Sequence, residues 1–390
     1  MLSAPRMRAI GVVLCTSFVL VTGCWSIEDA TTGQPGRFYV VPSPLPPGRP
    51  GEPIRTTPVP SPSGSQAWVV LYHSRSIDDR DIAVSGILVV PVAIPPPGGF
   101  PVLSWAHGTT GLADRCAPSR SAFSGSLLDD PIVGAFVQRG FAVVGTDYEG
   151  LGVPGPHPYL VGESEGRSVL DAIRAARNVP EVTVSNRAAL LGYSQGGHAV
   201  LWAAQIAETY APDLDVTAVA AAAPVGDLVR IAKHWATFDE EEPYLLSALD
   251  AWSVAYGRSP DPILTARGVE ARTQIRRRCT GQLDWDAFGS GLVRGSSPAW
   301  RPWMDLARSN TPGSGSADAP VLILHGDADD LVPIESSESI ARTLCAHGLQ
   351  AELRVYDGVG HDVLGPGFSA AVTWTIDTSR GVSREGSCRG

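Results

Sequence analysis

Residues 190–197 read Leu-Leu-Gly-Tyr-Ser-Gln-Gly-Gly, so Ser194 sits at the centre of a Gly-x-Ser-x-Gly pentapeptide between an apolar run and a helical stretch. A serine on so tight a strand-to-helix turn is held with its hydroxyl clear of the backbone, the geometry of a nucleophile. The flanking Gly192 and Gly196 have a steric reason, because side chains there would meet the neighbouring strand and helix as the turn closes. The pentapeptide by itself recurs by accident. Its weight comes from partners elsewhere in the chain, in the order the chemistry requires.

A serine hydroxyl needs a base, and the base needs a carboxylate to hold its tautomer and stabilise the cation. In α/β-hydrolases these follow in the order Ser, Asp or Glu, His. The apolar run Val321–Leu324 leads into His325-Gly326-Asp327-Ala328-Asp329-Asp330-Leu331-Val332-Pro333. Of the three aspartates, Asp329 is expected to be the acid, because it lies a few positions past the strand and just before an apolar-Pro step. Asp327 is placed to cap a turn and Asp330 to face solvent or cap the helix. His361 follows the run Ala351–Val355 on a loop containing Gly358 and Gly360, and is expected to be the base. His198, His325 and His347 lack its order, loop or flanks; His325 reads as a buttress of the aspartate loop. The developing oxyanion needs two backbone N–H donors. One is expected from Gln195, at the positive end of the following helix, and one from Thr109, with Thr110 as the alternative, in His107-Gly108-Thr109-Thr110-Gly111. His107 reads as a packing and hydrogen-bonding residue.

The elements that must position these groups show as short apolar runs at 102–106, 141–145, 188–192, 216–223, 321–324 and 351–355, with helical stretches at 131–139, 164–177, 196–209 and 334–346 between them. Runs without alternation are what strands buried on both faces of a parallel sheet look like. Alternating strand and helix predicts an α/β fold with a mostly parallel sheet. Ahead of these, 68–74 and 82–91 alternate apolar with polar residues and read as an antiparallel pair. The stretch 227–318 breaks the rhythm and carries five of the ten tryptophans: Trp235, Trp252, Trp285, Trp300 and Trp303. It reads as a helical cap inserted over the strand ends, with most of these indoles as its core and one or two lining an apolar pocket. The core is expected to span 67–226 and 319–390.

The start of the chain is read as targeting. Arg6 and Arg8 precede a short apolar run, and Val21-Thr22-Gly23-Cys24 closes it. The run is too short to span a bilayer comfortably, so residues 1–23 read as an export signal. The closing tetrapeptide is similar to a bacterial lipobox, which would make Cys24 a lipidated N-terminus and a membrane anchor; ordinary cleavage nearby is the alternative. Removing residues 1–23 takes away two arginines and no acids, moving the formal charge from −10 to −12. That balance argues against nucleic acid as a partner. Residues 24–66 read as a Pro-rich tether, with nine prolines between Pro42 and Pro62. Such a stretch is expected to form neither ladders nor helices, and to serve as a spacer or an arm along the surface. Cys116, Cys279, Cys345 and Cys388 remain, an even count consistent with two disulfides in an exported protein, three connectivities being open. Their spacing is not that of a metal site, and no metal or other cofactor is expected.

Trp105-Ala106-His107-Gly108-Thr109-Thr110-Gly111, Cys116-Ala117-Pro118-Ser119, Thr146-Asp147-Tyr148-Glu149-Gly150-Leu151-Gly152 and the 192–197 motif together resemble the secretory lipase family, capped α/β-hydrolases secreted by fungi and actinobacteria. The resemblance covers about Trp68 to Ala371. It implies a triad of Ser194, Asp329 and His361, and a disulfide from Cys116 to Cys279; Cys345 to Cys388 follows by subtraction. Where such lipases carry a side-chain oxyanion donor this loop has threonines, and the acids of Asp147-Tyr148-Glu149 are given no catalytic step. The expected function is hydrolysis of lipid acyl esters by a secreted serine hydrolase. Acyl transfer or peptide cleavage by the same triad, and a non-catalytic binding lipoprotein, are the alternatives.

Overall fold

A computed structural model describes residues 35–388 apart from 239–241, 281–287, 289–290, 296, 314–318 and 383–387. The export signal, Cys24, the start of the tether and Trp285 lie outside the described residues. Nine strands form one sheet: β1 (Pro53–Val59), β2 (Ser65–Arg75), β3 (Asp81–Pro91), β4 (Phe100–Ala106), β5 (Ala142–Thr146), β6 (Val184–Tyr193), β7 (Asp215–Ala222), β8 (Val321–Gly326) and β9 (Ala351–Tyr356). Their order is β1-β2-β3-β5-β4-β6-β7-β8-β9. The first three strands pair antiparallel, as do β3 and β5, and every pairing from β5 through β9 is parallel.

The helices are α1 (Pro35–Phe38), α2 (Ser119–Ala122), α3 (Pro131–Val137), α4 (Gly162–Asn178), α5 (Gln195–Tyr210), α6 (Leu228–Trp235), α7 (Glu242–Ala255), α8 (Ala266–Ile275), α9 (Arg301–Ser309), α10 (Ile334–Ala346) and α11 (Leu364–Ser379). The parallel strands are apolar throughout because successive residues feed two different layers. In β8, Val321 and Ile323 face the layer of α4, α5 and α10, while Leu322 and Leu324 face the layer of α3 and α11. This is the α/β-hydrolase architecture expected.

The expectation that the proline stretch makes no ladder is wrong. Residues 53–59 form β1, registered on β2 from Pro53 opposite Tyr72 to Val59 opposite Ala67. A residue without an N–H is tolerated there because β1 is an edge strand, with neighbours on one side only. The segment before it is equally bound to the body: Phe38 and Tyr39 are buried, and the Tyr39 hydroxyl meets Ser119 Oγ at 2.7 Å. Helix α11, which the sequence reading passed over, closes the layer behind β6–β8.

Between β7 and β8 the helices α6 to α9 build a core of their own, with Trp235, Trp252 and Trp303 each 2% exposed. They sit over the carboxyl ends of the strands. Trp235 Nε1 donates to Leu331 O (2.8 Å) beyond β8, and Trp252 Nε1 to Leu160 O (3.1 Å) beyond β5. Trp300 lines a cavity of about 460 Å³ with Val293 and Met304. The cysteines pair as Cys116–Cys279 and Cys345–Cys388.

Candidate active site

The turn at Ser194 is as tight as its glycines imply. A Cβ on Gly192 would lie 2.0 Å from Gly196 O, and one on Gly196 would lie 1.8 Å from Ala106 O at the end of β4. Ser194 itself has φ 55° and ψ −114°, a conformation a side chain rarely adopts. Its N–H donates to Ala222 O (2.9 Å), and its carbonyl accepts from His198 N and Val225 N. The strained residue is therefore held by β7 on one side and α5 on the other.

Two loops bring the remaining groups to it. From the loop after β9, His361 Nε2 lies 3.0 Å from Ser194 Oγ. Its Nδ1 lies 2.8 Å from Asp329 Oδ2 in the loop after β8. Nδ1–H donating to the carboxylate leaves the Nε2 lone pair facing the hydroxyl, the tautomer that proton removal needs. Asp329 Oδ1 accepts from Leu331 N (3.0 Å) and Val332 N (2.8 Å). Burial by itself would raise its pKa, but hydrogen bonds from His325 and His361, the His361 charge and the Val332 amide together hold the carboxyl well below the usual range. His325 has the buttressing place foreseen, with Nδ1 at Ser337 Oγ (2.7 Å) and Nε2 between Val332 O (2.7 Å) and Asp329 Oδ2 (3.2 Å). Asp327 instead accepts from Gly358 N (2.7 Å), a turn cap, and Asp330 is exposed.

Gln195 is the first residue of α5, so its N–H has no acceptor within the helix. Opposite it runs the 107–111 loop, pinned at several points. Thr280 Oγ1 and N donate to Thr109 O (3.0 Å) and Thr110 O (2.9 Å), next to the Cys116–Cys279 bridge. Thr109 Oγ1 meets Tyr159 Oη at 2.9 Å, and Tyr148 Oη donates to His107 O at 2.9 Å. The acids beside Tyr148 brace the same region. Asp147 accepts from Ser119 N (2.9 Å) and Ser85 Oγ (2.6 Å), and Glu149 from Ser164 Oγ (2.6 Å). Sequence reasoning gave no role to Tyr159, which meets the 107–111 loop, or to His157 and Glu165, which meet the Gln195 side chain. A glutamate in a helix's first turn reads as a dipole partner, and nothing local says that it is buried.

A profile of the secretory lipase family matches residues 120–248, and one of the prolyl oligopeptidase family matches 296–376. The chain is 27% identical to lipase A of Moesziomyces aphidis over 83% of its own length and 75% of that protein's. It is 29% identical to a protein of Mycobacterium tuberculosis named a probable inactive lipase, over 72% of this chain and 66% of that one. Across about a third of its length, and in these relatives, the chain is similar to the secretory lipase family. Among solved structures, Candida antarctica lipase A superimposes with a TM-score of 0.74 at 22% identity, over 90% of this chain and 87% of that one, a likeness of fold. These matches indicate a serine hydrolase of the lipase and esterase class, and relatives named as secreted lipases point to an exported protein.

Proposed function

We propose that this secretory lipase relative cleaves acyl esters of lipids through an acyl-enzyme, with Ser194 as nucleophile, His361 as base then acid, and Asp329 as the carboxylate that orients it. Ser194 Oγ attacks the ester carbonyl as His361 Nε2 takes its proton. The same proton passes to the departing alcohol, and water, deprotonated by His361, releases the acid. The N–H groups of Gln195 and Thr109 receive the oxyanion. The single observation behind this reading is the unbroken contact from Ser194 Oγ through His361 to Asp329. Helices α6 to α9 act as the cap roofing the site. The decisive assay uses p-nitrophenyl esters of graded chain length on wild type and Ser194→Ala. Hydrolysis should fall by about 10³-fold or more in the variant. Equal turnover by both proteins would reject Ser194 as the nucleophile, and no turnover by either would leave only a binding protein.

The prolyl oligopeptidase match over the segment holding Asp329 and His361 favours peptide cleavage as the second reading. A peptide p-nitroanilide cleaved faster than every ester would install it in place of the first. We also propose that Cys24 is lipidated and anchors the enzyme to the outer face of the membrane. Cys24→Ala should move it from the membrane fraction into the medium; an unchanged distribution would exclude the anchor.

A further inference from the structure

Behind the serine turn lies a polar cluster that the proposed chemistry leaves unused. Glu165 in α4 and His198 in α5 are fully buried, Gln195 is 1% exposed and His157 3%. A buried carboxylate is costly unless its lone pairs are filled. Those of Glu165 are filled: Oε1 accepts from Leu160 N and from Gln195 Nε2, both at 2.9 Å, and Oε2 meets His198 Nδ1 at 2.6 Å. The far nitrogen of His198 lies 2.8 Å from Asn310 O, at the end of α9. His157 Nδ1–H donates to Glu149 O (2.8 Å), which leaves Nε2 to accept from Gln195 Nε2 (3.0 Å). Burial pushes His157 down to about 4, against the attraction of Glu165, as suits a neutral acceptor. Both amide hydrogens of Gln195 are thus committed, and its side chain has one orientation.

The same carboxylate reaches the other side of the oxyanion site. Leu160 has φ 55°, and its N–H is held by Glu165 while its carbonyl is held by Trp252 from α7. Its neighbour Tyr159 bonds Thr109. An oxyanion is stabilised only where both donors converge on one point, at roughly 2.7–3.1 Å.

We infer that Glu165 is the positioning residue of the oxyanion hole, one buried carboxylate that fixes the Gln195 peptide through its side chain and the Thr109 peptide through Leu160 and Tyr159. It touches neither substrate nor reacting atoms, and the inference rests on the hydrolase reading above. Because the two donors act on charge that develops only in the transition state, disturbing them lowers kcat and leaves KM nearly unchanged. A merely structural glutamate would lower the melting temperature and the fraction of active protein, leaving the rate per active serine intact.

The test measures p-nitrophenyl butyrate hydrolysis by the full chain per serine titrated with a fluorophosphonate. Glu165→Ala should lower kcat by about 10–100-fold with little change in KM. Inhibition by an alkyl boronic acid, whose tetrahedral adduct puts an oxygen in the same hole, should weaken in proportion. Glu165→Gln keeps an oxygen for Leu160 and Gln195 and should recover most of the loss. Gln195→Leu removes the tethered amide, keeps the backbone N–H, and should reproduce the loss; it decides the matter where Glu165→Ala does not fold. Unchanged kcat per titrated serine in either variant, with hydrolysis still abolished by Ser194→Ala, overturns this inference alone. Undiminished hydrolysis by Ser194→Ala overturns the hydrolase reading and the inference with it.

Discussion

At the scale of single residues, three neighbouring aspartates separate by what their oxygens touch. Asp329 is 6% exposed and spends both oxygens on two amides and two imidazoles, whereas Asp327 and Asp330 face solvent. An amide at 329 would present an N–H₂ to His361 and favour the wrong tautomer. Asp329→Asn should therefore lower kcat by about 10³–10⁴-fold, while Asp327→Asn, which keeps an oxygen for Gly358, should stay close to wild type. Steady-state ester kinetics on the two variants decide it, and a larger loss at Asp327 would reassign the acid. The order Ser194, Asp329, His361 was legible from sequence because each lies directly past an apolar strand. The choice among aspartates rested on a spacing argument that the geometry accounts for: the carboxylate must reach back under the loop after β9, and the residue nearest the strand is taken by that loop's own turn.

At the scale of elements, the sequence was read well wherever burial was two-sided. The runs at 102–106, 216–223 and 321–324 match β4, β7 and β8 within two residues, because a strand buried on both faces has no reason to alternate. It was misread at β1, where the prolines hid an edge strand whose ladder uses only one side of the backbone. Treating residues up to 66 as a dispensable tether should fail. A chain starting at Ala67 loses β1 and strips Phe38 and Tyr39 from their buried contacts with Phe123. Burial of two such side chains contributes roughly 3–6 kcal/mol, so thermal unfolding should come several degrees lower than in a chain starting at Pro35. Equal melting temperatures would return the segment to the role of spacer.

At the scale of the whole molecule, α4, α5, the 157–160 segment, Trp252 of α7 and the end of α9 meet around one polar core, and its His157 responds to acid. His157 titrates near 6.5 when unfolded and is pushed down to about 4 in the fold by burial, with Glu165 opposing and His107 reinforcing. Between those values the unfolded chain binds more protons, so stability falls as pH falls, by at most about 1.4 kcal/mol per unit. This contribution is complete above pH 6.5 and lost by about pH 4. Urea midpoints between pH 4 and 7 should fall more steeply for wild type than for His157→Gln; parallel slopes would mean the ring is not neutral in the fold. The Cys116–Cys279 bridge ties the 107–111 loop to the segment after α8 in the same assembly.

The amino-acid order alone carried the serine turn, the histidine loop, the likeness to secretory lipases and the layered fold, since each depends on local pattern: a turn that only glycine permits, and strands apolar on both faces. Folding in three dimensions decided which aspartate turns inward, that a proline-bearing segment joins the sheet, and that Glu165 stands behind the serine. Those outcomes depend on which groups meet across loops and layers. A carboxylate 29 residues before Ser194 has no local mark of its partners; only the packing of α4 against α5 brings it there.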